Sequence, residues 1–129
     1  LRRATRWVTR RTFRVAITVE GREDRQRALQ VLVLNSPYYG FALELLPQVS
    51  MTDGELDVAV FPRMGRAALV MSFLRVWRGG DLPERPVVYR GARIAISSDD
   101  RVNVHADGAL AGTLPAQFVC RKGALSVFV

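Results

Sequence analysis

Lysine, cysteine and histidine are almost missing from this sequence: Lys122, Cys120 and His105 are the only ones. A single cysteine excludes an internal disulfide, and one cysteine with one histidine cannot build a typical zinc site. Cys120 ends the strand-like stretch QFVC and reads as a buried, inert thiol rather than a nucleophile. Long hydrophobic runs are absent as well. The longest, AALVMSFL at 67–74, falls far short of the ~20 residues a spanning helix needs. No signal-peptide pattern occurs. Nor does a P-loop, a G-x-G-x-x-G turn, a G-x-S-x-G elbow or an RNA-binding signature with interleaved aromatics. Taken by itself, the chain has no visible means of holding a nucleotide.

What is there suits one folded domain. The 129 residues are 49% hydrophobic, too apolar for a disordered chain. A chain of this size buries roughly two-thirds of its unfolded surface, enough for a true core. The net charge is +7 and is uneven: Arg2, Arg3, Arg6, Arg10, Arg11 and Arg14 crowd the first fourteen residues with no acid among them. Arginine-favouring codons would raise the arginine content without any function. A basic arm also suits an anionic membrane, nucleic acid or an acidic surface of its own protein. Because the chain opens on Leu1, it is expected to be a fragment or a processed product.

Period-two alternation over FRVAITVEG places Phe13, Val15, Ile17 and Val19 on one strand face, with GREDR as the polar turn after it. ALQVLVLN at 28–35 is apolar on both faces and reads as a central strand, ended by NSPYYG. FALELLPQVSMT at 41–52 reads as a long loop. ELDVAVF at 55–61 alternates with Leu56, Val58 and Val60 inward. One helix is predicted at about 66–78, where Val70, Phe73, Leu74 and Trp77 form a stripe and Gly79-Gly80 stops it. Core packing is the reading preferred for that stripe; contact with lipid is the other. Strands are predicted again at 87–89, 92–98, 101–106, 116–120 and 124–129. About eight strands and one helix make a mainly β domain: an antiparallel β-sandwich with one packed α-helix.

Two Asp-Gly pairs stand out, in TDGELDV at 52–58 and VHADGALAG at 104–112. Asp-Gly is the commonest short hairpin signal, since glycine accepts positive φ and aspartate tolerates it. Each pair is therefore either an ordinary turn or a place where a carboxylate is held for chemistry. His105 lies two residues before Asp107, on the same face if the strand continues, and is either a surface histidine or a proton shuttle.

The ordered set VLVLNSPYYG, LPQVSMTDGELDVAVF, a helix, VNVHADGAL and RKGALSVFV resembles the C-terminal domain of the diacylglycerol kinase-like lipid kinases, which include bacterial diacylglycerol kinases and sphingosine kinase relatives. The resemblance covers roughly residues 13–129. It implies the β-sandwich lobe of a two-domain kinase, with residues 1–12 as a basic connecting segment. The ATP loop of such enzymes, of the Gly-Gly-Asp-Gly-Thr type, belongs to the N-terminal nucleotide-binding domain of the same protein. The missing phosphate loop is what a separate C-terminal lobe should display.

Carried over by position, the resemblance implies a magnesium (Mg2+) site at the first turn: a side-chain oxygen of Asp53 and main-chain carbonyls of Ser50 and Glu55. Oxygen ligands suit that ion. It implies that Asp107 accepts the proton of a lipid hydroxyl during phosphoryl transfer from ATP. The family's Asp-Gly-Glu stands here as Asp107-Gly108-Ala109, so the usual glutamate is missing. The implied function is the substrate-side lobe of an ATP- and magnesium-dependent kinase acting on diacylglycerol or a sphingoid-like lipid. The alternative is a non-catalytic, kinase-like lipid-binding or regulatory module. The expected partners are the lipid and a membrane surface, at the cytoplasmic inner face. The arginine arm has no stacking aromatics beside it, so nucleic acid is not expected. Homodimer formation is left open.

Overall fold

Alternation builds the first strand as expected. In the computed structural model, which describes residues 12–39, 43–62, 66–81 and 85–126, β1 (Phe13–Val19) buries Val15 and Ile17 and exposes Arg14. Glu20-Gly21 then turns the chain with φ of 48° and 83°. Positive φ at both central residues is the hairpin geometry that matches strand twist. The polar turn is shorter than GREDR suggests, because β2 (Arg22–Ala28) pairs with β1 from Val19↔Arg22 to Phe13↔Ala28. Backbone pairing along the whole of β1 outweighs a composition poor in strand formers. The charged side chains suit an edge strand, where they discourage pairing with another chain.

The remaining elements are β3 (Gln30–Leu34), β4 (Tyr38–Tyr39), β5 (Leu43–Glu44) and β6 (Leu56–Phe61), then helix α1 (Arg66–Trp77). They are followed by β7 (Val87–Gly91), β8 (Arg93–Ser97), β9 (Asn103–Ala106), β10 (Ala109–Thr113) and β11 (Ala116–Val119). All ladders are antiparallel. One sheet runs β11-β8-β1-β2 and a second runs β3-β6-β7; β9-β10 and β4-β5 are two-stranded. Four of the eleven strands among the described residues were not anticipated: β2, the short β4 and β5, and β10. The strand expected at 124–129 does not form over 124–126, and its last three residues lie outside the described set. Of the basic connecting segment, only Thr12 is described.

The two larger sheets stack through one apolar cluster. Val15 and Ile17 of β1, Ala28 of β2, and Ile94 and Ile96 of β8 meet Val58 and Val60 of β6. Truncating a buried isoleucine here, such as Ile17 or Ile94, removes about 2–5 kcal/mol of stability. Gly91 lets the sheets approach at one corner, since a Cβ there would sit 2.5 Å from Val19 Cγ1. A second cluster lies on the other face of the three-stranded sheet, where Leu34 and Ala59 pack with Leu46 and Val49.

This second layer corrects two readings. β3 is an edge strand, not a central one. It is apolar on both faces because Val31 and Val33 serve one cluster while Leu32 and Leu34 serve the other. Likewise β6 buries both faces, Asp57 and Ala59 as well as Val58 and Val60. The stretch after β5 therefore covers a sheet rather than looping free. The amide of Leu45 bonds to the Pro37 carbonyl at 2.8 Å, and that of Val49 to Leu46 at 3.1 Å.

Helix α1 ends where expected. Gly79 takes φ of 78°, and the amides of Gly79 and Gly80 bond back to the carbonyls of Val76 and Arg75 at 2.9 Å each, a left-handed cap of the kind glycine favours. The expected core role of its stripe fails: Val70, Phe73 and Trp77 are exposed and Leu74 is only half-buried. Periodicity reveals that a helix has an apolar face, not which way that face points. Cys120 follows β11 and is half-buried rather than buried.

Candidate functional site

The second Asp-Gly pair is a true hairpin turn. Asp107 and Gly108 take φ of 49° and 85° and join β9 to β10, with Ala106 opposite Ala109. Aspartate is among the few side chains that tolerate this left-handed backbone, so the turn alone explains the residue type. Its location adds something further. The hairpin forms one wall of an open cleft of about 1440 Å³, which Asp107 and His105 both border. The cleft is lined as well by β3, largely through its apolar residues, and by Tyr38, Tyr39 and Met51. The Asp107 carboxylate is exposed.

His105 is exposed and pairs across the ladder with Leu110. Asp107 sits in the turn rather than in the strand, so strand alternation does not carry through to it. Among the described residues, no hydrogen bond links the two side chains.

The first Asp-Gly pair is not a hairpin. Asp53 Oδ1 accepts the Glu55 amide at 3.0 Å, and Ser50 Oγ accepts the Thr52 amide at 3.3 Å. Gly54, with φ of 86°, completes the bend that feeds β6. The Glu55 carboxylate turns toward Arg90, with Oε2 3.9 Å from Nε. Arg90 is anchored below by Asp57, directly opposite it across the ladder. Its Nε and Nη2 donate to the two Asp57 oxygens at 3.0 and 3.3 Å, and Nη2 also reaches the Gln48 carbonyl at 2.9 Å. The hydrogen bond to Asp57, then the attraction of its charge, raise Arg90 above its ordinary value; Asp53 and Glu55 add smaller contributions. The only lysine packs on this bend: a Cβ on Gly54 would lie 3.0 Å from Lys122 Cδ.

Among the described residues, no three His, Cys, Asp or Glu side chains gather as metal ligands. An ion at the first bend would rest on one free oxygen of Asp53 and on main-chain carbonyls of Ser50 and Glu55. A donor set with a single carboxylate suits magnesium, which keeps much of its water, better than zinc or a caged calcium. The structure thus separates the expected site residues into two groups. Asp107 faces the cleft, where Met51 from the first bend joins it. Ser50, Asp53 and Glu55 do not border the cleft, and the latter two lie in the field of Arg90.

Sequence reasoning missed three participants. Arg90 becomes relevant only through its register with Asp57, 33 residues earlier. Tyr38 and Tyr39 were read as strand terminators, yet both are exposed along the cleft. An aromatic pair beside a proline and a glycine was the available signal.

These features define a class. The chain belongs to the family described as the YegS C-terminal NAD kinase beta sandwich-like domain, whose model matches residues 2–129. The resemblance drawn from the ordered motifs is therefore borne out. Among particular relatives, the chain is similar to the diacylglycerol kinase of Bacillus subtilis (strain 168), 24% identical over 110 residues. That match covers 84% of this chain and 36% of the enzyme. It is also similar to a crystal structure of a diacylglycerol kinase from Bacillus anthracis str. Sterne, with TM-score 0.70 and 26% identity, over 88% of this chain and 39% of the other. A second solved structure from that organism matches with TM-score 0.72 and 24% identity, over 89% and 37%. The chain thus spans a little over a third of the relatives it matches. No helix among the described residues is long and apolar enough to cross a membrane.

Proposed function

We propose that the chain is the acceptor-side domain of a lipid kinase, which transfers the γ-phosphoryl group of ATP to the hydroxyl of diacylglycerol or a sphingoid-like lipid. The observation that carries this reading is Asp107 lining a cleft that is lined as well by the apolar residues of β3 and by Tyr38 and Tyr39. The apolar lining takes the acyl chains. The carboxylate accepts a hydrogen bond from the lipid hydroxyl, aims its oxygen at the γ-phosphorus, and receives the proton as the new O–P bond forms and the bond from that phosphorus to the β–γ bridging oxygen breaks, releasing ADP. Membership of the family and the names of the relatives support the same class of activity.

ATP is assigned to a nucleotide-binding domain preceding this one in the same protein. Ser50, Asp53 and Glu55 are assigned to a magnesium ion, which they would hold at the first bend, outside the cleft, through oxygen ligands of the kind that ion prefers. The enzyme is placed at the inner face of the membrane, where its substrate resides.

A second reading is favoured by one residue. Ala109 stands where the family carries a glutamate, so the domain would bind lipid without catalysing transfer. Both readings are tested on the chain joined to its nucleotide-binding domain, with magnesium, ATP and micellar diacylglycerol or sphingosine. Phosphorylation that falls about 10²–10⁴-fold in Asp107→Asn supports the first. No product with any long-chain alcohol, together with turnover gained by Ala109→Glu, supports the second.

A further inference from the structure

Helix α1 wears its apolar face outward. On its body-facing side Ser72 is 6% exposed, with its Oγ donating to the Ala68 carbonyl at 2.6 Å, and Val76 beside it is half-buried. The opposite arc carries Val70, Phe73 and Trp77 at helical spacing, 59%, 61% and 73% exposed. Met71, beside them, is 61% exposed. A globular helix ordinarily buries such a stripe. Here the residues able to gain most from leaving water are the ones left in it, so something outside the described structure covers them.

Charge identifies the cover. Arg78 and Arg75 border the arc on its Met71 side and are exposed, and no acid occurs between Arg66 and Arg78. Among the described residues, neither arginine meets a carboxylate. A second copy stacked on the same face would bring identical arginines together with nothing to neutralise them, on a chain of net charge +7. An anionic bilayer matches both parts. Its acyl boundary takes Val70, Phe73 and Trp77, and its phosphates take the arginines. Trp77, at the helix end beside Arg78, has the amphipathic ring that settles at headgroup depth.

We propose that α1 is an interfacial membrane anchor, lying flat on an anionic bilayer with Val70, Phe73 and Trp77 inserted and Arg75 and Arg78 on lipid phosphates. The inference deepens the lipid-kinase reading, from which it takes the bilayer as the place where substrate is met.

The test uses the full chain with Trp7→Phe, leaving Trp77 as the only tryptophan. Vesicles of phosphatidylcholine with phosphatidylglycerol are compared with phosphatidylcholine alone, and both carry brominated acyl chains. The chain should sediment with the anionic vesicles, and their bromines should quench Trp77. The double variant Phe73→Ser/Trp77→Ser should weaken sedimentation with vesicles on the order of a hundredfold, from the apolar area lost. Arg75→Gln/Arg78→Gln should weaken it roughly tenfold or more, with a shallower salt dependence. All four side chains are exposed, so the urea midpoint should not fall. Unquenched Trp77, or serine variants that bind as well as wild type, would overturn the anchor. So would serine variants whose molecular mass in solution falls while vesicle binding holds, because a second copy would then be the cover. A wild-type chain that does not sediment with anionic vesicles, while the chain joined to its nucleotide-binding domain still phosphorylates micellar lipid, would sink the anchor alone. Vesicle binding with no phosphorylation of any lipid would sink the kinase reading and keep the anchor.

Discussion

Replacing Arg90 with leucine should destabilise the domain far more than an exposed position on β7 suggests. Asp57 is 1% exposed, and its carboxylate takes two charged hydrogen bonds from Arg90. Leaving a fully buried carboxylate without its partner costs about 3–5 kcal/mol. The Arg90 side chain is 40% exposed, so water relieves part of that penalty in the variant, and about 2–4 kcal/mol is expected. Loss of the bond to the Gln48 carbonyl loosens the covering segment as well. Against a total stability of about 5–15 kcal/mol, the drop is large, and the melting temperature should fall by roughly 10 °C. Urea unfolding followed by circular dichroism measures it without screening charge. The decisive arm is Asp57→Leu/Arg90→Leu. If the penalty arises from an unpaired charge, the double variant should be more stable than Arg90→Leu alone. A single variant within about 0.5 kcal/mol of wild type, or effects that simply add, would refute the reasoning.

Other outcomes follow from the same geometry. Gly91→Ala forces a Cβ onto Val19 Cγ1, and overpacking there should cost about 1–3 kcal/mol in the same urea assay. Tyr89 donates its hydroxyl to Asp24, which with bonds from Gln26 and the Arg25 amide holds the Asp24 carboxyl below its usual value. A folded-state value below the unfolded one gives stability that is present above about pH 4 and lost as pH falls through the folded value. Burial first, and the Asp24 bond second, raise the Tyr89 phenol. That contribution is present below about pH 10 and lost as pH rises through the raised value. The stability gap between wild type and Tyr89→Phe should therefore be widest near neutrality and narrow at both ends of a pH series of urea melts. Millimolar magnesium should raise the melting temperature of wild type and not of Asp53→Asn; equal rises would remove the ion from that bend.

Much was legible because it depends on local pattern. The alternation around Val15 and Ile17 and around Val58 and Val60 defined two strands that meet in the core. Gly79-Gly80 ended the helix where expected, and Asp107-Gly108 made the expected hairpin. The ordered motifs were enough to identify the family. Where the reading failed, a distant partner decided the outcome. GREDR looks like a turn until β1 supplies backbone partners for all of it but Gly21. β3 looks central until Leu46 and Val49 are seen covering its second face.

By itself, then, the sequence determined the helix, seven of the eleven strands among the described residues, the antiparallel β character and the family, because turn chemistry and hydrophobic period act within a few residues. Tertiary structure alone decided three things. It seated Arg90 on Asp57, brought Tyr38 and Tyr39 to the same cleft as Asp107, and turned the apolar face of α1 to the outside. Each depends on which surfaces of separate segments come together, and short-range pattern carries no record of that.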